Sequence, residues 1–298
     1  MGSGAQDGTP DKAFEIVDSG HGNRLEPFHA TSQPGFSDFP GLPDPRIGSV
    51  PYLNAIPLTC GIEKEVLFAP PSQLAVMLQN EMLDAALVSI TEALLHPGYV
   101  ILEGAAIASD GPVLSVFLAT KIPLNDIKVV HCDPASLTSI NLLRVILHAK
   151  GLHPEFRPLQ DYEQAIDLDA VLLIGDAAIA FRQQQPPHQL LDLGQAWQEL
   201  TGLPFVYAVW AIRESQASPL LLTKLWLAKE QGLQQLARLI EMDNRFDLDF
   251  RQSYVGKAIK YEMGQAQKQG INAFSEQLRR LLQAPLFDPK YVAHRAVC

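Results

Sequence analysis

The stretch Ile127-Lys-Val-Val-His-Cys-Asp-Pro-Ala-Ser-Leu-Thr-Ser-Ile-Asn-Leu-Leu-Arg-Val-Ile-Leu-His-Ala-Lys-Gly151 shows the fold in miniature. Residues 127–131 read as a short apolar strand, and Asp133-Pro134 ends it. Ala135-Ser-Leu-Thr-Ser139 opens a helix. Ile140, Leu143, Ile146 and Leu147 give that helix one apolar stripe, and Gly151 closes it as the residue after the C-cap.

The same alternation runs outward in both directions. Arg46-Ile-Gly-Ser-Val50 is a strand that stops at Pro51-Tyr-Leu-Asn54. Residues 66–68 are a short apolar stretch broken by Pro70-Pro71. Ser72 is placed as the N-cap of a helix to about Asn80, with Leu74, Met77 and Leu78 on one face. Asp84-Ala-Ala-Leu-Val-Ser89 is a strand running into a polar turn. Residues 100–102 and 113–120 are strand candidates on either side of the turn Ser109-Asp-Gly-Pro112. Downstream, residues 170–174 form a strand ended by Gly175-Asp176, and residues 205–212 form another, with Tyr207 and Trp210 as core fillers. From Pro219 the chain is helical, with breaks expected near Gly232, at 242–249 and near Gly270. Strands alternating with helices predict an open, mostly parallel α/β sheet. No fixed-period repeat interrupts the pattern.

Composition narrows the class. The 298 residues are 47% hydrophobic, enough for a large core in one bilobal unit or two domains, and the formal net charge is -10. That balance argues against nucleic acid, because a phosphate backbone calls for a basic face. It does not exclude a small anionic ligand, which backbone N–H groups can hold inside an acidic protein. The three cysteines, Cys60, Cys132 and Cys298, form no C-x-x-C pair, so a reducing compartment is expected. No apolar run is long enough to span a membrane. The N-terminus lacks the basic and apolar regions of a secretory signal, so the expected location is the cytoplasm. Residues 1–45, rich in Gly, Pro, Ser and Asp, read either as a disordered extension or as a segment draped over the domain through Phe28 and residues 36–39.

No nucleotide-binding glycine signature, G-x-S-x-G or H-E-x-x-H is present, and the eight histidines are scattered singly. Neither cofactor nor metal is expected. The positive signal is a set of polar turns at strand ends, where ligands sit in open α/β sheets. Asn54, Ser89, Ser109, Asp110, Gly111, Ser136, Thr138, Ser139, Gly175 and Asp176 occupy such places. Ser136-Leu-Thr-Ser139 makes the best physical case, because free N–H groups and the macrodipole at a helix N-terminus attract an anion. An anion site and a plain N-cap both remain open there. Asn54 could orient a substrate hydroxyl or carboxylate, or simply close an Asx turn. Asp110 and Asp176 could be bases or ordinary turn residues, and His131 an acid or base or a packed histidine.

In order, several segments resemble the menaquinone-biosynthesis family that contains chorismate dehydratase. They are Arg46-Ile-Gly-Ser-Val-Pro-Tyr-Leu-Asn-Ala-Ile-Pro-Leu58, Asp84-Ala-Ala-Leu-Val-Ser89 and Ala108-Ser-Asp-Gly-Pro-Val-Leu-Ser-Val116. Asp133-Pro-Ala-Ser-Leu-Thr-Ser139, Leu172-Leu-Ile-Gly-Asp-Ala177 and Asp192-Leu-Gly-Gln-Ala-Trp197 follow, then Thr201-Gly-Leu-Pro-Phe-Val-Tyr-Ala-Val-Trp210. A weaker echo covers 254–261 and Phe274. The resemblance spans about residues 46 to 285, and its ordered series favours the dehydratase branch over the sister branch acting later in the pathway. It implies a type II periplasmic-binding-protein-like fold of two α/β lobes with a ligand cleft between them. Lobe 1 would comprise 46–117 and 209–298, lobe 2 would be 118–208, and the crossings would lie near Phe117 and Val209.

The implied reaction removes water from chorismate to give 3-[(1-carboxyvinyl)oxy]benzoate in the futalosine pathway, without a cofactor. Asn54 is then the catalytic candidate, with a substrate carboxylate as proton acceptor. The other nine residues would bind the substrate. The chain departs from the family pattern at Leu137, where arginine is usual, at Ile90, where serine is common, and at Ala93, where tyrosine is common. Two alternatives stand beside the lyase: a cytoplasmic small-carboxylate binding protein, and an enzyme with an altered aromatic substrate. Partners other than the small anion, whether nucleic acid or membrane, are not expected; the protein would be a monomer or a homodimer.

Overall fold

The computed structural model describes residues 15–16, 25–26, 44–133, 137–282 and 285–294. Most of the expected 1–45 extension, together with Ser136 and Cys298, lies outside the described residues. The elements begin with β1 (Glu15–Ile16) and β2 (Leu25–Glu26), which pair with each other, and β3 (Ile47–Ser49). After a 3-10 turn at Leu53–Leu58 come β4 (Val66–Phe68), α1 (Pro71–Gln79), β5 (Ala85–Ser89), α2 (Ile90–Leu95) and β6 (Tyr99–Ser109). The middle of the chain holds β7 (Val116–Thr120), β8 (Val129–Cys132), α3 (Leu137–Ala149), β9 (Glu155–Pro158) and β10 (Ala170–Ile174). Next are α4 (Gly175–Gln183), β11 (Gln189–Asp192), α5 (Leu193–Thr201) and β12 (Phe205–Arg213). The C-terminal part holds α6 (Pro219–Gln234), α7 (Leu236–Met242), α8 (Leu248–Ser253), a π-helical turn at Tyr254–Ala258, β13 (Ile259–Lys260), α9 (Gln265–Leu282) and β14 (Tyr291–Val292).

Two main sheets form the α/β core. The larger has the order β13-β6-β12-β5-β3-β4, with β14 also on β6; the smaller has the order β11-β7-β10-β8-β9. The chain passes from the larger sheet to the smaller between Ser109 and Val116 and returns between Asp192 and Phe205. The expected crossings at Phe117 and Val209 thus fall inside β7 and β12. The sheets are mixed rather than mostly parallel. β3, β4 and β5 run parallel, as do β8, β9 and β10, but β12 is antiparallel to β5 and β6, and β7 to β10 and β11. A strand that follows a crossing enters its sheet from the opposite end to the βαβ strands already there.

Residues 85–88 and 209–212 are buried throughout, consistent with their continuous apolar reading. Trp197 of α5, Phe205 of β12 and Phe274 of α9 meet edge to face at 4.9 to 6.0 Å, pinning both helices to the returning strand.

Several local expectations change for physical reasons. α1 starts at Pro71, one residue before the expected cap Ser72, because proline at the first helical position gives up no N–H that the helix needs. Residues 113–115 are not strand: the N–H groups of Val113 and Leu114 donate to the Asp192 carboxylate at 3.0 and 2.8 Å instead of to a ladder. The break expected near Gly232 falls at Gln235, between α6 and α7, whereas α9 runs unbroken through Gly270; neither glycine itself interrupts its helix. A Cβ on Gly232 would lie 1.9 Å from the Pro57 carbonyl oxygen, and one on Gly270 would lie 2.2 Å from that of Pro204. Each glycine lets its helix press onto a backbone segment rather than end.

Candidate active site at the seam of the lobes

The turn at Leu53–Leu58 follows β3 and is stiffened by Pro57; α6 packs on it through Gly232. It presents Asn54 to the π-helical turn that begins at Tyr254. The Asn54 side chain lies beside the Tyr254 hydroxyl, which donates to Ser115 Oγ at 2.8 Å. Asn54 Oδ1 is buried and has no protein partner. A π turn is a rare backbone form that recurs at functional sites.

Asp176 approaches the same place from the other sheet. Gly175 has φ of +57° and donates its N–H to the Ser115 carbonyl at 2.8 Å, so α4 starts against the crossing segment. Asp176 sits in the first turn of α4, where the helix dipole favours a carboxylate. The Leu53 backbone N–H lies near it and favours its charged form, and Arg245 Nη1 donates to its Oδ2 at 3.2 Å. Its Oδ1 is buried without a partner. Burial lifts the Asp176 carboxyl above its ordinary range, against the opposing pull of Arg245 and the Leu53 N–H.

Tyr52 stands beside this pair. Its hydroxyl is pushed up to about 12 by burial and by the negative charges of Asp133 and Asp176. Asp133, at the end of β8, accepts a short hydrogen bond from the Tyr162 hydroxyl. The stretch 52–54 of the first lobe therefore lies close to Asp176 of the second, with Asp133 within electrostatic reach of Tyr52.

A second junction lies where α2 meets α3. Thr138 Oγ1 donates to Thr91 Oγ1 at 2.9 Å and accepts the Thr91 N–H at 3.0 Å. Ser89 caps α2, accepting the Glu92 N–H at 3.3 Å. Ser139 is buried in the first turn of α3, and Leu137, which begins the helix, is partly exposed. Ile90 and Ala93 are both buried, so the positions where the family carries serine and tyrosine are occupied here by core side chains.

Ser109, Asp110 and Gly111 form a third group at the crossing. Ser109 Oγ donates to the Gly111 carbonyl at 2.9 Å and lies 3.3 Å from the Tyr207 hydroxyl; Gln198 of α5 donates to Asp110 at 2.7 Å. Their hydrogen bonds tie the turn to α5 and β12, not to Asn54. His131 lies within β8, in register with Val171 and Arg157. Sequence reasoning did not single out Tyr52, Ser115, Asp133, Tyr254 or Arg245. The first four lie inside the quoted motifs, and that membership was the available signal. Arg245 lies in a stretch read only as a helix break.

Residues 45–280 match the menaquinone biosynthesis family. The chain belongs to that family. Within it, a chorismate dehydratase from Thermus thermophilus is 31% identical over 268 residues, which is 82% of this chain and 98% of that protein. Solved structures share the two-lobed architecture of this menaquinone biosynthesis family member. A protein from Archaeoglobus fulgidus superposes with a TM-score of 0.63 at 18% identity, covering 79% of this chain and 96% of its own. The alkanesulfonate-binding protein of Xanthomonas axonopodis gives 0.60 at 15% identity, with 83% and 97% covered. A Candida albicans protein described as having the generic periplasmic binding protein fold gives 0.56 at 13% identity, with the same coverages. The fold is thus a periplasmic-binding-protein-like one. Among the described residues no helix is long and apolar enough to cross a membrane, and no group of three or more His, Cys, Asp or Glu side chains is placed to hold a metal.

Proposed function

We propose that the protein is a cytoplasmic, cofactor-independent lyase that removes water from chorismate to give 3-[(1-carboxyvinyl)oxy]benzoate, an early step of the futalosine route to menaquinone. The observation that carries this reading is the pair of buried acceptor oxygens, Asn54 Oδ1 and Asp176 Oδ1, contributed by different lobes and both near the Tyr254 hydroxyl. A buried acceptor without a protein partner is costly, and one that persists in a site is satisfied by a ligand or a water. Each acceptor calls for a donor, and the ring hydroxyl that leaves chorismate can give its single proton to one of them. The family membership and the dehydratase relative support the same substrate.

In the reaction the ring loses its hydroxyl and the proton on the neighbouring carbon, and aromatisation drives the step. Asn54 and Asp176 orient the hydroxyl, and a carboxylate of the substrate takes the proton. Asp176, whose carboxyl is raised by burial, is suited to share a proton with the departing oxygen. The α2–α3 junction, with Ser89, Thr138 and Ser139 at the start of α3, takes a carboxylate. Most of the rate enhancement then comes from fixed geometry and preorganised hydrogen bonds.

A second reading, a binding protein for small carboxylates, is favoured by the solute-binding proteins among the structural neighbours. One assay separates the two. Purified protein is mixed with chorismate alone, the cyclohexadiene absorbance is followed, and the product is weighed by mass spectrometry. Turnover to a compound lighter by one water supports the lyase. Tight binding without turnover supports the binding protein, and neither result points to an altered substrate.

A further inference from the structure

The segment 243–247, between α7 and α8, makes contacts in two directions. α7 and the turn after α8 pack on the Asn54-bearing turn, on the larger-sheet side. Side chains of the same segment meet both ends of α4, which packs on β7 and β10 of the smaller sheet. Arg245 Nη1 donates to Asp176 at 3.2 Å at the start of α4, and Gln183, the last residue of α4, donates to Asp247 at 3.4 Å. Arg245 Nη1 also donates to the Pro51 carbonyl at 2.8 Å, two residues before Leu53. Its Nη2 and backbone N–H are held by Asp243 at 2.7 and 2.8 Å. The guanidinium fork therefore joins three separate parts of the chain, a task for which its planar set of donors is suited. The next residue, Phe246, has φ of +62°, a region that a bulky L side chain rarely occupies, and its ring meets that of Phe250 edge to face at 5.8 Å. That turn sends Arg245 and Phe246 to different neighbours.

We propose that residues 243–247 are a strap that holds the two lobes in register, and that Arg245 is a positioning residue that sets Asp176 beside Asn54. The positioning role rests on the chorismate reading above; the strap does not. Four charged or titratable neighbours face Asp176: Arg245 and Asp243 from the strap, Tyr52 from the stretch after β3, and Tyr254 from the π turn. Arg245 is the cation among them, and it opposes the effect of burial.

Lobe geometry and chemistry are read separately. Spin labels go on the exposed Lys64→Cys and Lys150→Cys sites, one on each lobe, in the full-length Cys298→Ser chain without ligand. The parent should give one narrow distance population. Arg245→Gln should broaden and lengthen it, and Gln183→Ala, an exposed change that leaves the site untouched, should broaden it less. Distributions that coincide with the parent in both variants overturn the strap. In kinetics with chorismate, Arg245→Gln should lower kcat/KM at least tenfold and move its pH midpoint up by about one unit, because a cation beside Asp176 is lost. An unmoved midpoint removes Arg245 as the positioning residue for Asp176. A parent chain that fails to turn over chorismate, but shows the widened distances in the variants, upholds the strap and overturns only the substrate reading.

Discussion

Thr138 and Thr91 exchange hydrogen bonds across the two lobes, hydroxyl to hydroxyl at 2.9 Å and backbone N–H to hydroxyl at 3.0 Å. Both residues are buried. Thr138→Val keeps the shape and removes both bonds, leaving the Thr91 N–H unpaired. The expected loss is about 1–3 kcal/mol in urea unfolding, with a higher KM for chorismate because the α2–α3 junction loosens. Unchanged stability would show that water or a rearranged α2 takes over the N–H.

Asn54→Ala removes the amide that meets Tyr254 and one of the two open acceptors. Turnover should fall by about 10²–10³, the range for losing one preorganised polar group in an active site, with a near-normal thermal unfolding midpoint. Near-normal turnover would take Asn54 out of the mechanism.

Asp176 carries a raised carboxyl because its burial outweighs Arg245. Ionising it therefore costs folding free energy, and this cost grows as pH rises above the ordinary carboxyl value. Asp176→Asn should flatten that pH dependence above the ordinary carboxyl range and should lower turnover at the same time. A variant whose stability still changes with pH as the parent's does would locate the burden elsewhere.

Asp84 shows the opposite behaviour. It is buried, which would raise its carboxyl, but hydrogen bonds from Arg46 and Arg213 bring it below the ordinary carboxylate range. A carboxyl depressed in the folded state contributes stability that is complete above the unfolded value and is lost as pH falls through the folded one. Asp84→Asn should cost about 1–3 kcal/mol at neutral pH, because Arg46 loses its carboxylate while Arg213 keeps Glu81 and the Leu83 carbonyl. It should also remove part of the parent's loss of stability below about pH 4. Denaturant midpoints against pH for both proteins check this.

Gly232→Ala tests whether α6 supports the Asn54 turn. The new methyl would meet the Pro57 carbonyl at 1.9 Å, so either α6 or the turn must move. A loss of about 1–3 kcal/mol is expected, as for overpacking elsewhere, together with reduced turnover. Full activity in a destabilised variant would mean that α6 alone gives way.

The sequence by itself determined the class of fold, the strands at 47–49, 85–89 and 170–174, the amphipathic α3 and the family membership. These rest on local apolar patterns and ordered motifs, which act over a few residues and are written in the chain. It also pointed to Asn54 and Asp176 by their positions at strand ends. Only the tertiary structure decided that these two lie in the neighbourhood of Tyr254, that Ser109 to Gly111 turn toward α5, and that Arg245 spans the lobes. Such relationships join residues far apart in the chain, Asp176 and Arg245 being 69 positions apart. The same holds for Gly232 and Gly270: in sequence a glycine in a helix reads as a break, and the backbone carbonyl that needs its missing Cβ belongs to another segment.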